Sequence, residues 1–340
     1  MLYITTRDDR DAYTAYRALH ENAAPDGGAY IPFRMPFFTP NEVAALETRT
    51  FSETVSSILN LFFSCGLSAW DVDFSIGRNV IKLETMSHRM VVAELWHNPD
   101  GVYRHICTSL YNRLCAATSE GPTEWFSLAV NIAVLFGIYG EMCRENMIAS
   151  GDKIDITATT NTLPISIAAI YARQMGLPVD TIIFTCEENS DLWDMIHLGE
   201  LNASFESAND INYERLIHAT LGNTGVTALR SSMLAKKAFR IDNEELASFN
   251  NGLFCSVTGK ERSIQNVNSI YRSNTYILDP MAALSVGGLQ DYRAKTGESK
   301  LTLVLSCTSP IHCISKISDA TGISKEKLSV LLKNPQDRRQ

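Results

Sequence analysis

Few side chains in this chain are placed by type and spacing to do chemistry. Arg104 and His105 stand where a helix is expected to open, and His312 follows Ser309-Pro310 at the opening of another. A third helix is expected to start at Pro164, after Thr160-Asn161-Thr162-Leu163. The amides of Ile165 and Ser166 would then be free in its first turn, with the positive end of the helix behind them. Arginine presents a planar fork of donors to carboxylate or phosphate, and histidine adds a charge that is lost above about pH 6.5. These are the parts of a small-anion site, if the fold brings them together. The simpler reading of Arg104 is a surface residue paired with nearby Asp100.

Other chemistries have weaker support. The eight cysteines form no C-x-x-C pair and several lie in apolar runs, so they read as reduced core thiols. The seven histidines are scattered, and no metal site is expected, since metal ligands cluster at short spacing. No Ser–His–acid or paired-carboxylate pattern stands out. Thirty basic against 38 acidic residues give a net charge of −8, and no basic run occurs outside Arg338-Arg339. Nucleic acid and anionic membrane are therefore poor partners. The stretch from Phe126 to Gly140 carries Asn131 and is too short to span a bilayer, so it reads as a buried helix. Met1 to Asp8 shows no signal-peptide pattern, and a cytoplasmic location is expected.

The elements that must position these residues fall into two parts. Residues 1–85 read as a mainly helical domain: a helix over 12–21, the turn Ala24-Pro25-Asp26-Gly27-Gly28, a strand at 29–32, a helix opened by Thr39-Pro40, and an apolar helix over 51–63. Residues 86–340 read as an α/β domain. Its strands are expected at 90–95, 154–159, 181–186 and 301–306, and its helices at 104–117, 124–146 and 164–175. The helix over 164–175 has proline at its start, Gly176 past its end and Pro178 beyond. A strand, a helix and a strand joined by short loops make a βαβ unit, so those strands should be parallel.

In this order the motifs resemble the bacterial and fungal threonine synthases. Tyr3-Ile4-Thr5-Thr6-Arg7 is similar to the family's opening Y-I-S-T-R, and Ala24 to Pro32 to its A-P-D-G-G-L-Y-V-P. Further matches fall at Ala172 to Val179, Leu278 to Ala283 and Val304 to Pro310. The resemblance implies a fold type II pyridoxal phosphate (PLP) core, tryptophan synthase beta-like, with a mainly parallel sheet. It also implies membership of a lyase family in amino-acid biosynthesis.

The resemblance breaks where the chemistry should be. The family's cofactor lysine, in H-G-P-T-L-A-F-K-D, corresponds to Arg104 in His97 to His105. A guanidinium stays protonated and forms no Schiff base. The phosphate loop S-G-N-F-G-D corresponds to Thr160 to Ile165, where both glycines are gone and Pro164 has no N–H to donate; an ordinary βα turn is the plainer reading. The family's D-P-H-T-A is Asp279-Pro280-Met281-Ala282-Ala283. Cys307 stands where a polar residue faces the ring nitrogen, or is simply a small buried residue. No S-G-D-T-G substrate loop occurs, and the small lobe that carries it is expected to be largely deleted between Cys115 and Glu124. Lys82 and Lys153 are the nearest substitute amines, both more simply solvated charges.

The expected protein is therefore a shortened, degenerate homologue, a pseudoenzyme with no PLP, acting by ligand or partner binding; the alternative is an active PLP lyase with a rearranged site. Arg104, Asn161, Thr162, Pro164 and Cys307 mark the former cofactor pocket. Arg104, His105, Ile165, Ser166 and His312 are the residues expected to hold a small anion. A protein partner or a second copy is expected to cover apolar surface left by the missing lobe.

Overall fold

A computed structural model describes residues 1–115, 121–159, 163–186, 190–201, 210–236 and 238–333. The chain opens with β1 (Leu2–Thr5), β2 (Tyr13–Thr14), α1 (Ala15–His20) and β3 (Tyr30–Pro32). The three strands form an antiparallel sheet in the order β2-β1-β3. The first part of the chain is thus less helical than its sequence suggested. Tyr13–Thr14 pairs with β1 instead of extending the helix, because Thr14 caps α1 through its side chain.

Three helices follow: α2 (Pro40–Ala44), α3 (Phe51–Phe63) and α4 (Ala69–Ile76). Each opens on a reciprocal capping box: Thr39 with Glu42, Thr50 with Glu53, and Ser68 with Asp71. The N-cap hydroxyl accepts from the backbone N–H three residues on, and that residue's carboxylate accepts from the N-cap amide.

The main sheet begins with the hairpin β4 (Lys82–Met86) and β5 (Met90–Glu94). The boundary expected at 85/86 falls inside β4. Next come α5 (Arg104–Leu114), α6 (Glu124–Arg144), β6 (Ile154–Thr159), α7 (Leu163–Gln174) and β7 (Val179–Cys186). After α8 (Asp191–Leu198), the short strands β8 (Glu200–Leu201) and β9 (Phe239–Arg240) flank α9 (Asp210–Lys236), which is kinked at Gly222. The chain ends with α10 (Asn243–Phe249), β10 (Leu253–Val257), α11 (Lys260–Asn274), α12 (Pro280–Thr296), β11 (Thr302–Ser306), α13 (Ile314–Thr321) and α14 (Lys325–Lys333).

The six strands run in the order β10-β7-β6-β11-β5-β4, parallel throughout except for the edge strand β4. Helices cover both faces, so successive strand residues alternate between two apolar layers. Val91, Ala93, Ile182, Phe184, Leu303 and Leu305 face the layer shared with the N-terminal helices and α6. Val92, Ile183 and Val304 face the other, with α11 to α14. The strand pairing confirms the mainly parallel α/β sheet read from the sequence.

Helix α6 has 21 residues and is apolar enough to cross a membrane by length and composition, longer than its apolar stretch suggested. In the fold it is a core helix against α3 and α7, with 89% of its apolar window buried.

Candidate functional site

A cleft of about 550 Å³ opens beyond the C-terminal ends of the central strands. Its walls come from three places. The first is the turn leading from β5 into α5. Tyr103 N–H donates to Cys307 O (2.8 Å), and Ser309 N–H to Gly101 O (2.8 Å), so the turn is sewn onto the segment leaving β11. Gly101 has φ +64°, and a Cβ there would sit 2.7 Å from His312 Nε2, so both backbone and space call for glycine. Arg104, the first residue of α5, is thereby fixed at the cleft.

The second wall is the start of α6. Glu124, Ser127 and Asn131 recur at helical spacing on one face of an otherwise apolar helix. The Tyr103 hydroxyl donates to Asn131 Oδ1 (2.7 Å). The third wall is the start of α7, with Pro164 and Ile165, opposite Cys307 and Thr308. The cleft thus lies where strand order turns away on either side of β11, the usual place for ligands in an open parallel sheet.

The cleft brings together Arg104, Pro164, Ile165 and Cys307. Asn161 and Thr162 lie outside the described residues. Ser166 is fully buried behind the wall. His105 does not join Arg104: its Nδ1 lies 2.8 Å from Asp100 Oδ2, so Asp100 pairs with the histidine and not with the arginine. Among the described residues no carboxylate lies within ion-pair distance of Arg104, which is exposed. His312 lines a second cavity, of about 660 Å³, with Trp96 and His97, and its Nε2 lies 3.0 Å from Asp100 O. There His97 Nε2 lies 2.6 Å from the fully buried Glu94 Oε2, and Tyr276 O–H donates to Glu94 Oε1 (2.5 Å).

Burial sets the protonation of the cleft's thiols and of the Tyr103 phenol. It pushes the Cys107 thiol up to about 12 and the Cys307 thiol higher still, so neither is a thiolate near neutrality. The Tyr103 phenol is raised by the same cause. No described residue lining the cleft is a lysine. Lys82 lies on β4, its Nζ 2.5 Å from Glu84 Oε1. Lys153 pairs with Asp180 at 3.2 Å and lines a different cavity, with Arg173.

The sequence reading missed Glu124, Ser127 and Asn131 as wall residues. Their signal was polar residues recurring on one side of the most apolar helix. It also missed two arginine–glutamate contacts on α9. Arg7 donates to Glu214 from Nε (3.1 Å) and Nη2 (3.0 Å), and the Thr6 hydroxyl donates to the same carboxylate. Arg215, 1% exposed, has Nη1 3.6 Å from Glu124 Oε2, and burial pulls its guanidinium below the ordinary value.

Comparison with known proteins follows the same outline. Residues 2–76 match the family model described as the threonine synthase N terminus. Human and orang-utan (Pongo abelii) proteins named threonine synthase-like 1 are each 24% identical over 181 residues, or 49% of this chain. The chain spans only about a quarter, 24%, of the length of these relatives. Among solved structures, a PLP-bound threonine synthase from Brucella melitensis superposes with a TM-score of 0.80 at 17% identity, covering 98% of this chain and 95% of that one. Yeast threonine synthase gives 0.80 at 15% identity over 96% and 91%. At these identities the structural match establishes the fold, which is that of fold type II.

Proposed function

We propose that this chain, threonine synthase-like in its N-terminal segment, its relatives and its fold, binds a small anionic ligand in the cleft around Arg104 and carries out no PLP chemistry. What supports this reading is the composition of the cleft. At the first residue of α5 stands an arginine that has no carboxylate partner among the described residues, and no lysine is among those around it.

The residues present do not fit PLP. A Schiff base needs an amine that can lose its proton, and guanidinium does not. Pro164, second residue of α7, has no amide for a phosphate. Cys307 is held as a neutral thiol, a weak partner for a ring nitrogen. Catalysis of the threonine synthase type is therefore not assigned to the chain, and its role is that of a binding protein, with a partner chain or second copy as the further element of the reading.

The test is spectroscopic and calorimetric. The purified full chain, incubated with PLP, is expected to show no absorbance near the violet edge that borohydride removes. A stoichiometric borohydride-reducible chromophore would overturn the reading and restore an active lyase. Phosphate or malonate should raise the unfolding midpoint, since a ligand bound only by the native state stabilises it by mass action. That shift should shrink in Arg104→Ala.

A further inference from the structure

We propose that Arg215 is the receptor for an oxyanion of the ligand that enters the cleft, and that Glu124 is the counter-ion which that oxyanion displaces. The inference rests on the binding role proposed for the cleft and adds the residue that reads the ligand's charge.

The observation is an unfilled donor fork. Arg215 is 1% exposed, and its Nε and Nη2 have no hydrogen-bond partner among the described residues. These two N–H groups lie along one edge of the guanidinium and together make the bidentate face that matches carboxylate or phosphate. Arg7 shows the same edge filled, its Nε and Nη2 both on Glu214. For Arg215 the carboxylate within reach among the described residues is Glu124, and it stands 3.6 Å from Nη1, beyond hydrogen-bond length. Glu124 is 51% exposed and lines the cleft, so it can swing into water when a better anion arrives.

The neighbourhood of Arg215 is unsaturated in the same way. Asn212, Arg215 and His218 recur every three residues along α9, and each carries a buried polar atom without a partner among the described residues. Facing them across the α7–α9 contact, the buried Tyr171 hydroxyl also lacks one among the described residues, and Tyr171 and His218 border a cavity of about 110 Å³. A polar seam kept only for stability would be paired within itself, since a buried charge without its hydrogen bonds is a cost to folding. Arg215 does not itself line the cleft; Glu124, 3.6 Å from its Nη1, is the wall residue that stands between the two. A guanidinium with its fork open one side chain behind the wall is explained by an anion that comes and goes.

The experiment titrates inorganic phosphate and, separately, malonate into the full chain, reading dissociation constants by calorimetry and the Arg215 Nε–H resonance by NMR of arginine-labelled protein. Glu124→Gln removes the competing carboxylate and is expected to tighten binding at least 3-fold. Arg215→Lys keeps the charge but loses the fork and should weaken binding 10-fold or more. The Nε–H resonance should move with saturation in the native chain; where Arg215→Lys does not fold, this signal and Glu124→Gln decide. The stronger of the two anions identifies the ligand group as phosphoryl or carboxyl. If both variants bind as the native chain does and the resonance stays still, the inference is overturned. If binding then still falls in Arg104→Ala, the cleft reading survives alone. If binding responds to Arg215 and Glu124 but not to Arg104, the receptor stands and Arg104 is not part of it. No binding of either anion overturns both.

Discussion

The junction of the N-terminal segment with α9 and the cleft walled by the starts of α5, α6 and α7 are built from the same residue types, arginine, glutamate, tyrosine and asparagine, yet their polar groups are treated in opposite ways. At the junction Arg7, Thr6, Tyr3 and Trp125 each find an acceptor. Arg7 grips Glu214 with two nitrogens, Thr6 adds its hydroxyl, and Arg230 Nη1 stands 3.8 Å from the same carboxylate. Tyr3 donates to Phe62 O (2.9 Å) and accepts from Trp125 Nε1 (3.1 Å). At the cleft Arg104 has no carboxylate partner among the described residues, and behind its wall the Arg215 fork is open among them too. A saturated network fixes one conformation; an unsaturated one leaves free energy to be gained by a ligand.

Glu214→Gln should cost about 2–4 kcal/mol in denaturant unfolding, because it leaves the Arg7 charge partly buried without its counter-ion. Only 4% of the Glu214 side chain is exposed and 21% of Arg7, so solvent cannot make good the loss. A loss under about 0.5 kcal/mol, the range of ordinary surface changes, would erase the contrast. Tyr3→Phe comes next, at about 1–2 kcal/mol, since it breaks the bond to Phe62 O and strands the buried Trp125 N–H.

Much of this fold was legible in the sequence, and the limits of legibility follow the range of the interactions. Phe51–Phe63 was readable because its residues are strongly apolar, and Leu163–Gln174 because Pro164 and Gly176 bracket it. Helix α4 carried the same capping signal at Ser68 and Asp71 and was overlooked, since Trp70 and Phe74, both largely exposed, blur its apolar face. Strand β1 has four residues, too few for an alternation to show. The cleft was readable in part: the positions of Arg104, Pro164 and Cys307 converge. His312 did not join them, because the 98–103 turn stands between the two cavities. Arg7 with Glu214 lies 207 residues apart, and nothing local marks such a pair. Asn212, Arg215 and His218 form a polar stripe that reads in sequence as a solvated face; only α7 packing over it makes it buried.

A third test separates the core from both regions. Burial pushes the Asp155 carboxyl up to about 6, with the Thr181 N–H, 3.1 Å from its Oδ1, opposing. Its native value lies above its unfolded one, so between about pH 4 and 6 the native state binds more protons. Its contribution to stability is greatest below that window and is lost as pH rises through it. Asp155→Asn keeps the acceptor and removes the titration, so the fall in unfolding free energy from pH 4 to pH 6.5 should become shallower. Asp279, shifted in the same direction by burial, should leave part of the slope. An unchanged slope would remove Asp155 from the account.

The smallest effect on stability belongs to Arg104, and it is the most informative about function. Its side chain is exposed, makes no ion pair among the described residues, and sits at the first residue of α5. A cation at a helix N-terminus is mildly unfavourable, by about 0.3–1 kcal/mol at low salt, so a residue kept there is poorly explained by the helix itself. Arg104→Ala should therefore leave stability unchanged within about 0.5 kcal/mol or raise it slightly, while weakening anion binding. The two histidines once expected to share the site stand apart, His105 on Asp100 and His312 in the second cavity. Binding should accordingly show no loss between pH 6 and 8 of the kind that histidine deprotonation would produce. Measuring the midpoint shift with malonate at both ends of that range checks it. A shift that collapses above pH 6.5 would return the histidines to the site, and a large loss of stability in Arg104→Ala would make the arginine structural, as saturated as Arg7.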